Sequence, residues 1–409
     1  MLTSSGISRD VRQEHHHRTL VMTKMKSVFL TVIAIATLGL ANAQTGAYAQ
    51  ATSEVTVKIG FASPLTGGQA HLGKDNENGA RMAVDEINAS NFMVGGRRVR
   101  LELVSEDDAG DPRTGTQVAQ RLVDSGVVAV VGHMNSGVAI PAAKIYNDAH
   151  VLLLSTASNP AYTKLGYRSA YRLTATDASQ GPVLAQYAAN TLKAKRVAVV
   201  DDATAFGQGL ADEFARTANT AGIQVLSRDA TTDKAVDFRA ILTKIKSETP
   251  DAVMFGGMDA TAGPLARQAR TLGMKIPLLG GDGMCTPTMI QLASTAADSV
   301  ICTSVGAPLP DMPRGPAFSR NYRTRFGTPV RFLAPFFYDG VYLVADAMRR
   351  ANSTDHEKVL AAMQTASYNG VTGHFAYTPQ GDITDPVVTV YAYKAGQFAP
   401  VKVVHLGKD

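Results

Sequence analysis

The sequence predicts an α/β protein of two domains, each built on a parallel sheet with helices on both faces. At 409 residues the chain is longer than one hydrophobic core usually organises. Near-continuous apolar strands alternate with amphipathic helices, which is the pattern of parallel sheets buried on both faces. The alternation starts afresh after Leu173, so a second domain is expected from there. A composition of 45% hydrophobic and 18% charged residues is typical of a folded globular chain.

The individual elements follow from apolar spacing and from capping residues. Asp111 is expected to cap a helix that has Pro112 at its first position. Residues 174–177 hold no Pro/Gly-rich linker, so the chain is expected to cross directly between domains. The elements expected in the first half are a strand at 55–62, a helix at 76–88, a strand at 98–104, a helix at 112–125 and a strand at 127–131. The strands expected in the second half lie near 196–200, 223–227, 252–256 and 277–280.

The N-terminal region has the layout of a secretory signal. Two lysines, Lys24 and Lys26, precede the uncharged run 27–40, and small residues follow that run. The run is shorter than the roughly 20 residues that span a bilayer, which argues against a membrane anchor. Of two small-x-small cleavage sites we favour the one ending at Ala49, and no cysteine follows either site for lipid attachment. The sequence therefore predicts a mature chain from Gln50 that is free in the periplasm.

Residues 1–23 lie upstream of this signal and have no role in it. The natural start codon is therefore expected at Met22 or Met25, and the His15–His17 triplet is not expected to bind metal. The leader carries five bases and two acids, so its removal lowers the net charge from +5 to +2. No basic stripe with interleaved aromatic residues occurs, and nucleic-acid binding is not predicted.

The chain has two cysteines, Cys285 and Cys302. Because the chain is predicted to enter an oxidising compartment, a disulfide between them is favoured. The alternative is a pair of buried free thiols.

Two segments approach known nucleotide-binding motifs and then depart from them. The segment from Gly68 to Lys74 resembles a phosphate-binding loop, but Asp75 stands where Ser or Thr should hold magnesium. The segment from Gly207 begins like a dinucleotide fingerprint, but Asp212 stands where a small residue is needed. No nucleophile elbow and no His/Cys metal spacing occur, so neither an enzyme nor a cofactor or metal site is predicted.

Six collinear stretches together resemble the periplasmic leucine/isoleucine/valine-binding proteins of ABC importers. They are Ser63–Gly67, Asp107–Pro112, Val131–Ser136, Phe206–Ala211, Gln268–Arg270 and Gly280–Gly283. The resemblance implies a type I Venus-flytrap fold, in which two α/β lobes joined by three crossovers close on a ligand. The crossovers are expected near 174–177, 303–308 and 376–386. The implied division is a leader at 1–49, an N-terminal lobe of 50–175 plus 308–376, and a C-terminal lobe of 176–307 plus 377–409.

The resemblance also implies a ligand site in the cleft between the lobes. Ser136, Thr156 and Ser158 match positions that hold the ligand's α-carboxylate, and Asp282 matches the acidic residue that pairs with its α-ammonium. The residues themselves agree, because Ser136 begins a helix whose free N–H groups suit a carboxylate. For each serine the alternative is simple helix capping, and for Asp282 it is capping of the turn at Gly283. The implied apolar wall residues are Leu72, Met134, Phe206 and Met258.

The sequence departs from the family pattern at several of these positions. The tyrosine-like wall positions are occupied by Leu72 and Met258, and Gly110 and Asn135 stand where the family has an early disulfide. Leucine-like ligands still suit the apolar wall. The predicted function is delivery of an amino acid, leucine, isoleucine or valine, to an inner-membrane permease by a monomeric binding protein. The alternatives are a protein of the same fold for an aromatic acid, an amide or urea, and a sensory ligand-binding protein.

Overall fold

The structure is a computed structural model that describes residues 54–407. The leader, with its predicted signal and His triplet, lies outside the described residues. Residues from Glu54 onward form one compact unit that contains two large sheets. Among residues 54–407, no helix combines the length and hydropathy that crossing a membrane would require.

Strands and helices alternate along most of the described chain. The strands are β1 Glu54–Ser63, β2 Met93–Val94, β3 Arg97–Asp107, β4 Ala129–Gly132, β5 Leu152–Ser155, β6 Ala170–Arg172, β7 Arg196–Asp201, β8 Gln224–Ala230, β9 Ala252–Gly256, β10 Leu278–Gly280, β11 Val300–Val305, β12 Tyr368–Asn369, β13 His374–Phe375, β14 Val387–Lys394 and β15 Gln397–His405. The helices are α1 Ala70–Ala89, α2 Pro112–Asp124, α3 Ser136–Asp148, α4 Ala161–Lys164, α5 Asp177–Asn190, α6 Ala205–Thr220, α7 Arg239–Glu248, α8 Asp259–Thr271, α9 Thr288–Ala293, α10 Gly315–Phe326, α11 Ala334–Ala351 and α12 His356–Met363.

The two large sheets define two lobes. The first sheet has the order β2-β3-β1-β4-β5-β6, and the second has the order β15-β14-β11-β10-β9-β7-β8. The central strands pair in parallel, as the buried apolar pattern predicted. The edges differ from that prediction, since β2 pairs antiparallel with β3 and the β14–β15 hairpin adds antiparallel to β11. Hairpin strands need no crossover helix, so they can join an edge without one.

Strand register brings the loops of each sheet to one edge. In the first sheet Ala62 pairs with Gly132, and Ser155 pairs with Arg172. In the second sheet Gly256 pairs with Asp201, the last residue of β7. Because parallel strands end together, the segments that follow β4, β5, β7, β9 and β10 gather at the carboxyl edges, where open α/β sheets bind ligands.

Helix α1 begins six residues before the predicted start at residue 76. Its first turns carry polar side chains that the apolar pattern could not assign to a helix, yet Asp75 is only 3% exposed. The Asp75 carboxylate accepts the backbone N–H groups of Arg331 and Phe332, just before α11, and of Ala334, its first residue. Burial raises the pKa of Asp75 although these hydrogen bonds oppose the rise. The residue that breaks the phosphate-loop motif thus anchors the start of a distant helix.

Helix α11 covers the first sheet together with α1. The rings of Phe61 on β1 and Phe337 on α11 lie 5.6 Å apart, both fully buried. Gly79 of α1 meets α11 so closely that a Cβ there would overlap the carbonyl oxygen of Ala334. The core of the first lobe therefore needs a helix from late in the chain.

The predicted disulfide between Cys285 and Cys302 is present, with a Cα–Cα distance of 5.4 Å. It joins the segment after β10 to strand β11. The Tyr393 hydroxyl also donates to the carbonyl of Thr286 at 2.7 Å and lies 3.2 Å from the carbonyl of Met284. The turn that carries Asp282 is thus fixed on its C-terminal side.

Candidate ligand-binding cleft

Six of the eight predicted ligand-binding residues line one cavity between the carboxyl edges of the two sheets. The lining residues are Met134, Asn135, Ser136, Ser158, Phe206, Met258, Asp282, Gly283, Phe332 and Leu333. The cavity encloses about 10 Å³, roughly what a single water molecule requires. An amino acid can therefore enter only if the lobes separate or the apolar walls rearrange.

Two serines form the first lobe's polar side of this cavity. Ser136 opens helix α3, and its hydroxyl oxygen accepts the N–H of Asn159 at 3.2 Å. That bond ties the loop after β4 to the loop after β5. Both serines are almost fully buried, so a polar ligand group placed between them would exchange water for protein hydrogen bonds.

A second hydroxyl holds these two loops in place from behind. Ser155 donates to the carbonyl of His133 at 2.7 Å and accepts the N–H of Ala157 at 3.0 Å. His133 is itself fully buried, with Nδ1 2.7 Å from Asp108 and Nε2 3.1 Å from the Tyr146 hydroxyl. The serine side of the cleft is therefore rigidly supported.

On the second lobe's side, two buried carboxylates share one amide. The Gln180 Nε2 group donates to Asp282 at 3.0 Å and lies 3.3 Å from Asp177. The Gln180 oxygen accepts the N–H of Asp282 and the hydroxyl of Thr303, at 3.2 and 3.0 Å. The amide can satisfy only part of the hydrogen-bonding capacity of two carboxylates, and Oδ2 of Asp177 has no partner among the described residues.

Both carboxyl groups resist ionisation in this setting. Burial raises the pKa of Asp282 to about 6. Burial, and then the neighbouring Asp282, raises the pKa of Asp177 well above its ordinary value. A cation placed beside them would favour both ionised forms.

The apolar wall of the second lobe follows β7 and β9. Phe206 lies in the first turn of α6, and Met258 caps α8. The start of α6 is held against the end of β9, because a Cβ on Gly207 would overlap the carbonyl oxygen of Gly256. This close packing explains the glycine of the incomplete dinucleotide motif without a nucleotide.

Leu72 and Thr156, the other two predicted site residues, do not line the cavity. The Leu72 side chain is fully buried in the core of the first lobe, because α1 begins early enough to turn it inward. Thr156 is buried in the loop before Ser158, and its carbonyl accepts the Thr174 hydroxyl at 3.4 Å. Thr156 was expected to act through its backbone, and its N–H takes no partner within residues 54–407.

Sequence reasoning missed several residues that line the cleft or lie directly behind it. Phe332 and Leu333 line it from the start of α11, almost 200 residues after Ser136, with no local motif to mark them. Asp177 and Gln180 lie at the start of α5, where an acidic residue reads as an ordinary helix start. A buried carboxylate beside Asp282 could be recognised only from the fold.

Larger cavities lie elsewhere in the described chain. One of about 330 Å³ lies among the segments predicted to cross between the lobes and is lined by Ala175, Gly306 and Asp385, among others. It contains none of the predicted site residues. Within residues 54–407, no group of three or more potential metal-ligating side chains is assembled.

Comparison with known proteins places the chain in a family. The family model for periplasmic binding proteins matches residues 56–397. The Leu/Ile/Val-binding protein BraC3 of Rhizobium johnstonii is 35% identical over 349 residues, covering 83% of this chain and 92% of that protein. The leucine-, isoleucine-, valine-, threonine- and alanine-binding protein of Pseudomonas aeruginosa is 32% identical, covering 83% and 90%.

Solved structures agree with the sequence relatives. A leucine-binding protein from Thermotoga maritima has a TM-score of 0.79 at 29% identity, covering 85% of this chain and 98% of that one. A branched-chain amino acid binding protein from Streptococcus pneumoniae, in complex with isoleucine, has a TM-score of 0.78 at 28% identity, covering 86% and 100%. The fold is that of a two-lobed type I periplasmic binding protein. The chain belongs to the periplasmic binding protein family, and its resemblance to the branched-chain amino acid binders is confirmed.

Proposed function

We propose that this protein captures leucine, isoleucine or valine in the cleft between its lobes and delivers it to an inner-membrane ABC permease. One observation carries the proposal. A buried carboxylate, Asp282, lines the same small cavity as the hydroxyl groups of Ser136 and Ser158. Donors on one wall and an anion on the other complement the two charges of an amino acid.

Each part of the ligand then has its own partners. The α-carboxylate is held by the hydroxyl and N–H groups of Ser136 and Ser158, with the N–H of Thr156. The α-ammonium pairs with Asp282, whose carboxylate accepts the same Gln180 amide that lies beside Asp177. The side chain packs against the apolar wall, whose members are Met134, Phe206, Met258, Phe332 and Leu333. Leu72 supports this wall from within the first lobe.

The acidic pair also argues against an aromatic acid as the ligand. A benzoate-binding protein from Rhodopseudomonas palustris has a TM-score of 0.77, but at 18% identity it shares only the fold. A carboxylic acid without an ammonium would leave Asp282 uncompensated in a closed cleft, which is strongly unfavourable. The names of the sequence relatives also favour branched aliphatic amino acids.

Delivery requires that the protein act outside the inner membrane. We propose that the N-terminal signal is cleaved and that the mature monomer works in the periplasm. The lobes are taken as 50–175 plus 308–376 and 176–307 plus 377–409. Neither an enzymatic activity nor a nucleic-acid partner is part of this proposal.

Ligand identification tests the proposal directly. The purified protein is denatured, and the released small molecules are analysed by mass spectrometry. The refolded protein is then titrated with leucine by calorimetry, with Asp282→Asn as the matched control. We expect leucine, isoleucine or valine in the released fraction and a smaller radius of gyration at saturating leucine. Release of a different ligand, together with no binding of any of these three amino acids, would overturn the proposal.

A further inference from the structure

Arg172 is the largest fully buried side chain in the described part of the protein. It is the last residue of β6, and its guanidinium reaches beneath the loop that follows β5. Nη1 donates to the carbonyl of Ala157, and Nη2 donates to the carbonyl of Asn159 at 3.1 Å. These two carbonyls belong to the residues on either side of Ser158, so the arginine holds the loop before and after a residue that lines the cleft.

A residue from the return segment between β13 and β14 orients this arginine. The Nε group of Arg172 donates to Asp382 at 2.7 Å. The Thr163 hydroxyl also donates to Asp382, at 3.1 Å, and accepts Nη2 of the arginine at 3.0 Å. The Arg172 backbone N–H donates to Gly381 at 2.8 Å, which fixes the same segment against β6.

A buried cation is unfavourable at a position where an apolar side chain could fill the same space. Burying a guanidinium is unfavourable unless it is paired and its donors are all used. Here the planar fork of the arginine serves one carboxylate, two carbonyls and a hydroxyl, which the point charge of a lysine cannot do. The arrangement is suited to holding the loop at one fixed angle.

We infer that Arg172 is a positioning residue for the ligand's carboxylate. By fixing the carbonyls of Ala157 and Asn159, it aims the N–H and hydroxyl of Ser158 into the cleft. Asp382 sets the orientation of the arginine and is therefore a second positioning residue. The inference rests on the proposed function, since it assumes a carboxylate at Ser158.

The test compares leucine with leucinamide, which lacks the carboxylate. Wild type, Arg172→Lys and Asp382→Asn are titrated with both compounds by calorimetry, and thermal unfolding is followed separately. We expect leucine affinity to fall about 10- to 100-fold in Arg172→Lys and about 3- to 10-fold in Asp382→Asn, because small displacements of aligned groups are costly. Leucinamide affinity should change much less, so selectivity for the carboxylate falls.

Arg196→Lys is the matched control. Arg196 on β7 also donates to two backbone carbonyls, those of Glu248 and Thr249, but at the amino end of its strand and away from the cleft. Its replacement should leave selectivity unchanged. In ¹⁵N spectra of the ligand-free protein, the Ser158 amide resonance should move in Asp382→Asn and stay in place in Arg196→Lys.

The outcomes separate the inference from the function on which it rests. Equal losses for leucine and leucinamide, or an unchanged Ser158 resonance in Asp382→Asn, would overturn the positioning role. If Arg172→Lys does not fold, Asp382→Asn decides alone, because Asp382 is partly exposed. If wild type binds none of leucine, isoleucine and valine, the proposed function fails, and this inference fails with it.

Discussion

The Nε2 atom of His71 lies 2.9 Å from Oδ2 of Asp259, and this pair connects the two lobes. His71 is in the first turn of α1, whereas Asp259 is the first residue of α8, next to the wall residue Met258. Asp259 is fully buried and also accepts the Thr286 hydroxyl at 2.6 Å. The contact can exist only while the lobes are together.

Removing this contact should speed ligand release. In His71→Ala we expect leucine to dissociate about 3- to 10-fold faster with little change in the association rate, because one hydrogen bond of the closed form is lost. Stopped-flow measurement of both rates checks this. His150→Ala is the control, since His150 contacts Glu357 within the first lobe. Equal dissociation rates in His71→Ala and wild type would show that the pair does not stabilise closure.

Substitution of Asp282 should mainly lower leucine affinity, whereas substitution of Leu72 should mainly lower the stability of the fold. Asp282→Asn leaves a desolvated ammonium without its partner and should weaken leucine binding by about 2–5 kcal/mol, or some 30-fold to several thousand-fold. Leu72→Ala opens a cavity in the core and should lower the free energy of unfolding by about 2–5 kcal/mol. Its leucine affinity should stay within a few fold of wild type. Calorimetric titration and denaturant unfolding of both variants test this, and normal leucine binding by Asp282→Asn would count against the ammonium site.

Leucine affinity should fall as the pH falls through about 6. Burial raises the pKa of Asp282 to about 6, so below that pH the ligand-free protein holds a proton where the ammonium binds. Binding must then release this proton, and the affinity should drop by up to about tenfold per pH unit for each proton released. Calorimetric titrations from pH 5 to 8, in buffers of different ionisation enthalpy, measure both the leucine affinity and the number of protons released on binding. Asp282→Asn should flatten the profile, and a rise in affinity at low pH would contradict this account.

Asp282→Asn should stabilise the ligand-free protein at pH 7.5. The pKa of Asp282 rises from 3.8 to about 6 on folding, so the folded state binds the proton more tightly. The tighter proton binding of folded Asp282 stabilises the fold fully below pH 3.8, and this contribution is lost as the pH rises to about 6. Above that pH the ionised group destabilises the fold by about 3 kcal/mol. Asp282→Asn should therefore unfold at higher denaturant concentration at pH 7.5 without ligand, and a lower midpoint than wild type would be the contrary result.

The disulfide should stabilise the second lobe. Replacing both Cys285 and Cys302 with serine should lower the free energy of unfolding by about 3 kcal/mol. Without the bridge, the unfolded chain is no longer restricted by a closed loop and gains conformational entropy. Denaturant unfolding of the double variant measures the loss. Wild type unfolded without reductant should present no thiol to a labelling reagent. Two labelled cysteines in that sample would show that the bridge does not form.

Patterns within one element predicted much of this fold, and relationships between distant elements were hidden. Strands and helices with apolar spacing, such as β1 and α2 with its cap Asp111, were expected close to where they lie. The start of α1 was missed because Asp75 is buried by partners 256 positions away. In the cleft, Ser136 and Ser158 follow strands and could be singled out. Phe332, which lines the cleft, and Asp177, which lies behind it near Asp282, could not, since only tertiary packing brings these segments together.

The late position of α11 has a consequence for how the chain folds. The first sheet is complete once β6 is made, yet the helix that seals one face of it begins only at Ala334. Until then the apolar side of Phe61 and its neighbours has no permanent cover. Contacts of such long range slow folding, because the chain must close a large loop before they form. The first lobe therefore cannot finish folding while the chain is still being synthesised or exported up to β6. Most of the polypeptide must be present before either lobe is complete.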